Sequence, residues 1–576
     1  MKRLILFTLL IHLSFIPDTR AQSDRSSLAV DADAIAAERG VLLSQLQLLE
    51  TKAAKLDHPL AAALAKTEIA DAAWSLDESW ARQLLTEAYE LTLPRDNDQE
   101  GARPIGAPPP MTNAAERARD DARRRVLAVA ARDETFAGEL IKRGAAKVGR
   151  YVEQKMYADL AADALNRGDK KAAGGYVANA IDTDPTQITS VNVILALAAH
   201  DRALADDLTI KYIERLRAFP LSRSDQSLVR SYFILGRLIF GPSDTGDKAP
   251  PPGPAVMKAY VSYVIESLSR IAQGDPASLR SVRLFLLSAW MPLKQYAPEM
   301  TGAFMELEKL SRPPGADASL PQTSIDEIYR ERYEQQAKQA LKDGQPTDLI
   351  ILNAASSGDF DKARELLRKL PDGQRKNQLT EAVNVKESLT LSARGDTAKA
   401  EGIGMGLKRA TSILQVYPVM IKKCMAEKDS VCASRLAYQA VKQLKQSETS
   451  TSESPPGVPA AASPTLQEVD PVLLSLGALA DAVGSADESL ALEILEEVVK
   501  AANASFVDTT QGRIGFDARI FRKLASKNEQ RVLTVAEELK DPLRRVVATA
   551  AVFQWKAEQL QKKACPSITA KKTAAN

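Results

Sequence analysis

Histidine and cysteine, which often bind metals or act as nucleophiles, are scarce in this 576-residue chain, which holds three of each. His58 and His200 lie in unrelated contexts. They show neither the His-x-x-x-His nor the His-Glu-x-x-His spacing that places two ligands on one helix face. A histidine-ligated zinc site or a Ser-His-Asp triad therefore has no support, and we expect no cofactor. His200 directly precedes Asp201, and we interpret it as a turn residue.

Two other patterns partly match ligand-binding loops. Gly402, Gly404 and Gly406 alternate, but no predicted strand precedes them, so close helix packing or a loosened helix is the favoured interpretation. Residues 96–101 place carboxylates at positions 1, 3 and 5 and glycine at position 6, as in an EF-hand. Position 12 is Ala107, where that loop needs a bidentate glutamate, so we interpret this stretch as a polar loop.

Aromatic and acidic side chains do not identify a site by spacing alone. Trp74, Trp80 and Tyr89 surround one predicted hairpin, and helical spacing places several of them with Ala81 and Leu84, as core residues. Carboxylates occur along all the predicted helices, so no particular pair identifies an acid–base couple.

The first 21 residues have the layout of a signal peptide. Lys2 and Arg3 precede a mostly apolar run at 4–16, and Ala21 supplies a small residue at the cleavage position. The run is shorter than the about 20 apolar residues that span a bilayer. We therefore expect a periplasmic or secreted protein with no membrane span after cleavage. An uncleaved N-terminal anchor is the alternative.

The charge of the chain is balanced. Removal of residues 1–21 leaves 76 − 3 = 73 basic and 74 − 1 = 73 acidic residues. This balance argues against a nucleic-acid-binding protein, whose affinity depends on clustered lysine and arginine. The basic stretch 123–125 follows Asp120 and Asp121 in the favourable i,i+4 order, and we interpret it as a solvated helix face.

The elements that must position any site are helices. Strong helix formers dominate the composition, and apolar residues recur at spacings of three and four rather than two. After Asp359, for example, Phe360, Ala363, Leu366 and Leu367 share one helical face. The sequence therefore predicts an all-α fold built from antiparallel helix-turn-helix hairpins.

A recurring Asp-x-x-x-Ala pattern marks the starts of these helices. The aspartate carboxylate accepts a hydrogen bond from a free first-turn N–H, and the small alanine lets the preceding helix pack closely. Gly168, Gly358 and Gly395 precede three of these aspartates, where a tight turn needs a positive φ. The predicted N-caps are Asp77, Asp169, Asp201, Asp359, Asp396, Asp429 and Asp487.

The segments NRGDKKAAGGYVANAIDTDP (166–185) and ASSGDFDKARELLRKLP (355–371) resemble the second helices of tetratricopeptide-like repeats. The resemblance covers roughly half of the chain and lacks most of the aromatic signature of the first helix. It implies hairpins stacked into a solenoid or an irregular α-superhelix. By analogy of fold, it also implies a scaffold that binds a protein or peptide partner. A carboxylate-dependent hydrolase or a glycan-binding protein of the cell envelope is the alternative.

Proline-rich stretches divide the chain into helical blocks. The predicted loops are 101–112, 242–254 and 312–323, and a disordered Ser/Pro-rich linker is predicted at 447–465. The predicted blocks are 22–100, 113–241, 255–311, 324–446 and 466–562, and a lysine-rich tail follows at 563–576.

Cys424 and Cys432 fit the layout of one hairpin. Cys424 ends the first helix, residues 425–428 form the turn, and Asp429 caps the helix that begins with Cys432 in its first turn. Such a reversal can bring the two Cα atoms within the about 4.4–6.8 Å that a disulfide needs. The Cys-x7-Cys spacing also resembles Sel1-like repeat proteins, in which such a pair joins the helices of a hairpin. Two buried free thiols are the alternative.

Overall fold

The computed structural model describes residues 19–94, 114–185, 189–218, 234–236, 238–239, 250–274, 283–312, 348–448, 471–484, 487–505 and 508–564. Within these ranges the regular structure is entirely helical and contains no strand. The prediction of an all-α fold is therefore confirmed.

The first half of the chain contributes twelve described α-helices. They are α1 (Thr19–Ala53), α2 (Pro59–Ala73), α3 (Glu78–Thr92), α4 (Ala114–Ala130), α5 (Glu134–Asn166), α6 (Lys170–Thr183), α7 (Thr189–His200), α8 (Arg202–Ala218), α9 (Pro254–Gly274), α10 (Arg283–Ser288), α11 (Trp290–Tyr296) and α12 (Thr301–Ser311).

The second half contributes eleven more described α-helices. They are α13 (Asp348–Ser356), α14 (Phe360–Arg368), α15 (Gln374–Ala393), α16 (Thr397–Gly404), α17 (Ala410–Ala426), α18 (Ser430–Glu448), α19 (Pro471–Val483), α20 (Glu488–Ala504), α21 (Arg519–Ala525), α22 (Glu529–Glu537) and α23 (Pro542–Ala564). Short 3₁₀ turns lie at Pro298–Met300 and Thr509–Gln511.

Helices of the second half pack in two layers. The odd-numbered helices from α13 to α23 form a row in which each member contacts the next. Each even-numbered helix from α14 to α22 packs against the two row members on either side of it. This is the contact pattern expected of stacked hairpins, and a solenoid superhelix stays a prediction.

The row continues from α23 into the beginning of the chain. α23 lies against both α1 and α2, and α2 in turn contacts α4. Lys563 of α23 forms an ion pair with Glu38 of α1 at 3.4 Å. Apolar residues from both regions, such as Leu46 of α1 and Val547 of α23, belong to one continuous core. The helices near the two ends of the sequence are thus neighbours in the middle of the row.

Four hairpin turns share one backbone arrangement. Gly168, Gly358 and Gly395 have φ of 80°, 84° and 88°, and Lys428 takes the same place in the α17–α18 turn with φ of 61°. In each turn this residue donates its N–H to the carbonyl three residues earlier, and the following aspartate donates to the carbonyl five residues earlier. This is the Schellman arrangement, so one residue pair ends a helix and starts the next.

Each of the seven predicted N-cap aspartates directly precedes the first residue of a helix. Asp396 differs from the rest: its carboxylate pairs with Lys399 Nζ at 2.8 Å and makes no cap hydrogen bond. The other carboxylates each accept from the backbone N–H three residues later, at 2.9–3.1 Å; they belong to Asp77, Asp169, Asp201, Asp359, Asp429 and Asp487.

The predicted boundaries fall mostly outside the described residues. Residues 1–18 and 101–112 lie outside, and α1 already begins at Thr19, before the predicted cleavage position. α9 begins at Pro254, the last residue of the predicted 242–254 loop. α18 continues to Glu448 and α23 continues to Ala564, so both helices end slightly past the predicted block ends. The division into domains stays a prediction.

Candidate binding cleft

A cleft of about 460 Å³ opens where α23 meets the first hairpins. One wall comes from the end of α2, the start of α3 and the turn after α4, and the opposite wall is α23. The lining residues are Asp71, Ala72, Trp74, Ser75, Glu78, Arg132, Gln554, Ala557, Glu558 and Gln561. The size lies within the range of clefts that hold small ligands or peptide segments.

Asp71 joins the two walls of the cleft. Its carboxylate pairs with the guanidinium of Arg132, and its Oδ2 accepts a hydrogen bond from Gln554 Nε2 of α23 at 2.5 Å. Burial raises the pKa of Asp71, and the positive charge of Arg132 opposes that rise. A half-buried carboxylate shared by two distant parts of the chain helps to fix their relative position, because leaving it unpaired is costly.

Trp74 supplies the aromatic surface of the cleft. Its ring lies 5.7 Å from the guanidinium carbon of Arg82 and 5.9 Å from that of Arg132, and it contacts Phe136 at a tilt. Trp74 and Trp80 are half-buried, whereas Tyr89 is fully buried, so the interpretation as core residues holds fully only for Tyr89. Burial raises the pKa of Tyr89 to about 12.

Ion pairs continue from the cleft along the row of helices. Lys523 of α21 pairs with Asp481 of α19 at 2.5 Å, and Arg522 of α21 pairs with Glu558 of α23. On the other side of the cleft, Arg125 of α4 pairs with Glu68 of α2 at 2.5 Å. The charge of Glu68 raises the pKa of Arg125. Together with the Asp71–Gln554 hydrogen bond between α2 and α23, these pairs connect five successive members of the row.

The interpretation of residues 123–125 as a solvated face holds for Arg124 and Arg125, which are exposed, but it is wrong for Arg123. Arg123 is only 3% exposed and donates to Asp120 and to the carbonyl oxygen of Thr92, both at 2.9 Å. Arg124 pairs with Asp163, and Arg125 pairs with Glu68. Arg123 thus pairs within its own helix at i,i+3, whereas Arg124 and Arg125 pair with carboxylates on neighbouring helices.

The predicted cysteine pair lies far along the row from the cleft. A disulfide joins Cys424 at the end of α17 to Cys432 in the first turn of α18, and their Cα atoms are 5.9 Å apart. The predicted N-cap aspartates lie at helix starts. Of these, only Asp77 lies next to the cleft, because it precedes the lining residue Glu78.

The other residues considered for chemistry are scattered. His58 precedes α2 without a side-chain cap bond, and the His200 carbonyl accepts from Lys170. A Cβ built on Gly404 would lie 3.6 Å from Tyr417, in ordinary contact, and one built on Gly402 would meet no atom within 4 Å, so close packing does not require a glycine at either position. The 96–101 loop lies outside the described residues. Within the described ranges no cluster of three or more potential metal ligands forms.

The cleft could not have been found from sequence spacing. Asp71 and Gln554 are 483 residues apart, and neither stands in a recognisable motif. The only usable signal was the aromatic group containing Trp74, because an aromatic side chain near a helix end is often half-buried.

The cleft offers recognition chemistry. Each of its three carboxylates pairs with an arginine, as Asp71–Arg132, Glu78–Arg82 and Glu558–Arg522. Hydrogen-bonding amides and an indole complete the lining. Among the described helices, none has the length and apolar character that crossing a membrane requires. No family model, no curated protein and no solved structure matches the chain.

Proposed function

We propose that this protein is an exported helical-repeat scaffold that binds a protein or peptide partner in the cleft between α2, α3 and α23. The observation that carries the proposal is that the half-buried Trp74 and the exposed amide of Gln561 line one cleft. Tryptophan and arginine are enriched at the centres of protein interfaces, and glutamine amides match the donors and acceptors of a peptide backbone.

The proposal also fits the way the walls are built. A site assembled from both ends of the sequence is held by the Asp71–Gln554 bond and the Arg522–Glu558 pair. A pre-organised site loses less conformational entropy when a partner binds. Export, which the first 21 residues predict, would place this cleft outside the cytoplasm.

Site-specific photo-crosslinking tests the proposal. The full chain is expressed in exporting cells with a photoreactive phenylalanine in place of Gln561 in the cleft. The control carries the same photoreactive residue in place of Gln378, which is exposed on α15. We expect a crosslinked protein at position 561 only, and its loss in the Trp74→Ala variant with unchanged circular dichroism. Equal labelling from both positions, or none from position 561, contradicts the proposal.

A carboxylate-dependent hydrolase is the second candidate, because Asp71 and Glu558 line one cleft and burial raises the pKa of Asp71. The purified protein is incubated with cell-wall glycan, and Asp71→Asn and Glu558→Gln are the matched variants. Release of soluble fragments by the wild type that both variants abolish would establish this function in place of simple binding.

A further inference from the structure

The α17–α18 hairpin is a basic surface that also exposes large apolar side chains. From Ala410 to Glu448 it contains six lysines and arginines and three acidic residues, 6 − 3 = +3, in a chain whose formal net charge is +2. Charge of one sign concentrated on one hairpin attracts an oppositely charged partner and sets its orientation.

One strip of α18 points away from the rest of the fold. Val431, Arg435, Tyr438 and Lys442 follow each other at i, i+4, i+7 and i+11, so they share one helix face. Val431 is 77% exposed and Tyr438 is 58% exposed. The opposite face, which includes Leu436, packs into the core. We call these four residues the α18 strip.

The positive charge near this strip is largely uncompensated. Lys422, Lys428 and Lys442 form no ion pair within the described part of the chain. Arg435 pairs with the buried Glu401 of α16, which holds its guanidinium in place. The strip therefore combines one fixed guanidinium with a lysine that is available to an incoming carboxylate.

The beginning of the strip is also fixed covalently. The Cys424–Cys432 disulfide ties the first turn of α18 to α17, and Cys432 directly follows Val431. The Asp429 carboxylate accepts from the Cys432 N–H at 2.9 Å and holds the same turn. Such fixing lowers the entropy cost of docking.

We propose that the α18 strip docks an acidic amphipathic helix of a partner protein. Apolar residues of the partner would pack on Val431 and Tyr438, and its carboxylates would pair with Lys442 and Arg435. A membrane surface is the less suitable occupant, because apolar and basic residues alternate along one face. A helix that lies on lipid separates its apolar and charged residues onto opposite faces. This interaction is separate from the cleft and does not rest on the function proposed for it.

Photo-crosslinking from the strip itself tests this inference. A photoreactive phenylalanine replaces Tyr438 in the full chain in exporting cells, and the same residue in place of Leu48, which is exposed on α1, is the control. We expect crosslinks from position 438 to a protein segment that is acidic and helix-forming, and no such product from position 48.

Charge variants then decide whether the contact depends on Lys442. In the chain that carries the photoreactive residue at position 438, we expect Lys442→Glu to lower the crosslink yield about fivefold and Lys442→Arg to retain it. The reason is that reversal of a charge at the rim of an interface costs about 1 kcal/mol. Circular dichroism of each variant checks folding. Crosslinks to lipid, to a second copy of this chain or to a basic segment overturn the inference, as does a yield that Lys442→Glu leaves unchanged. The outcome at position 438 does not depend on the outcome of the crosslinking experiment at position 561 in the cleft.

Discussion

Replacement of Lys428 by glycine should stabilise the α17–α18 hairpin. Lys428 has φ of 61°, whereas glycine stands at the equivalent place in the turns that contain Gly168, Gly358 and Gly395. Lys428 is exposed and forms no ion pair within the described residues, so its side chain contributes little that the substitution would remove.

The magnitude follows from two opposing effects. A non-glycine residue in the left-handed region costs about 1–2 kcal/mol, and Lys428→Gly removes that cost. Glycine also gains freedom in the unfolded chain, which costs about 0.4–1 kcal/mol. The difference stabilises the turn by about 0.5–1 kcal/mol. Gly395→Ala reverses both effects, and no atom lies within 4 Å of the added Cβ, so it should destabilise its turn by a similar amount.

Hydrogen exchange read by mass spectrometry measures the effect locally, which suits a long chain whose hairpins open independently. In the oxidised protein we expect amides of residues 424–433 to exchange about two- to fivefold more slowly in Lys428→Gly. Amides of residues 391–400 should exchange faster by a similar factor in Gly395→Ala. Unchanged or faster exchange at 424–433, together with a neutral Gly395→Ala, would refute the assignment of strain to Lys428.

Three further predictions concern the disulfide, the core and the cleft. Cys424 and Cys432 should resist alkylation until reductant is added. Replacement of both by serine should destabilise the hairpin by about 2.5 kcal/mol. Alkylation of both thiols in unreduced exported protein would exclude the disulfide. Gly144→Ala should cost about 1–3 kcal/mol in urea unfolding, because its Cβ would lie 2.9 Å from the buried Tyr89 ring. Gly138→Ala on the same helix meets no atom within 4 Å and should be neutral or stabilising; equal losses would contradict the packing argument. Burial raises the pKa of Asp71 in the folded protein above its value of about 3.9 in the unfolded chain. The folded state therefore binds the proton of Asp71 more tightly than the unfolded state does. As pH rises through the folded pKa, loss of this proton lowers the stability of the wild type. The stability of Asp71→Asn relative to the wild type should therefore increase between pH 4 and pH 7, and a pH-independent difference would argue against this shift.

Local features of the fold follow from the sequence because short-range chemistry decides them. Asp169 and Asp359 follow glycine and precede helical spacing, and their caps depend only on residues within the same turn. The placement of Cys424 and Cys432 likewise follows from one turn of known length. Asp396 departs from the pattern: its carboxylate pairs with the side chain of Lys399.

Long-range features did not follow, since no local pattern encodes them. The charged stretch around Arg123 has the spacing of a solvated helix, yet Arg123 itself is buried and donates to the carbonyl of Thr92, which is 31 residues away. The cleft depends on the docking of α23 against α2, and the amphipathic pattern of either helix shows only that it needs a partner.

The docking of α23 against α2 sets a delay during synthesis of the chain. About 470 residues separate the end of α2 from the start of α23. At about 5–20 residues per second, roughly 25–95 s pass between completion of the two helices. Throughout that interval the apolar side of α2 that α23 later covers faces solvent, and such uncovered surface is what chaperones bind and what drives aggregation. We therefore expect the apolar side of α2 to be open to chaperones or to aggregation until α23 has been synthesised.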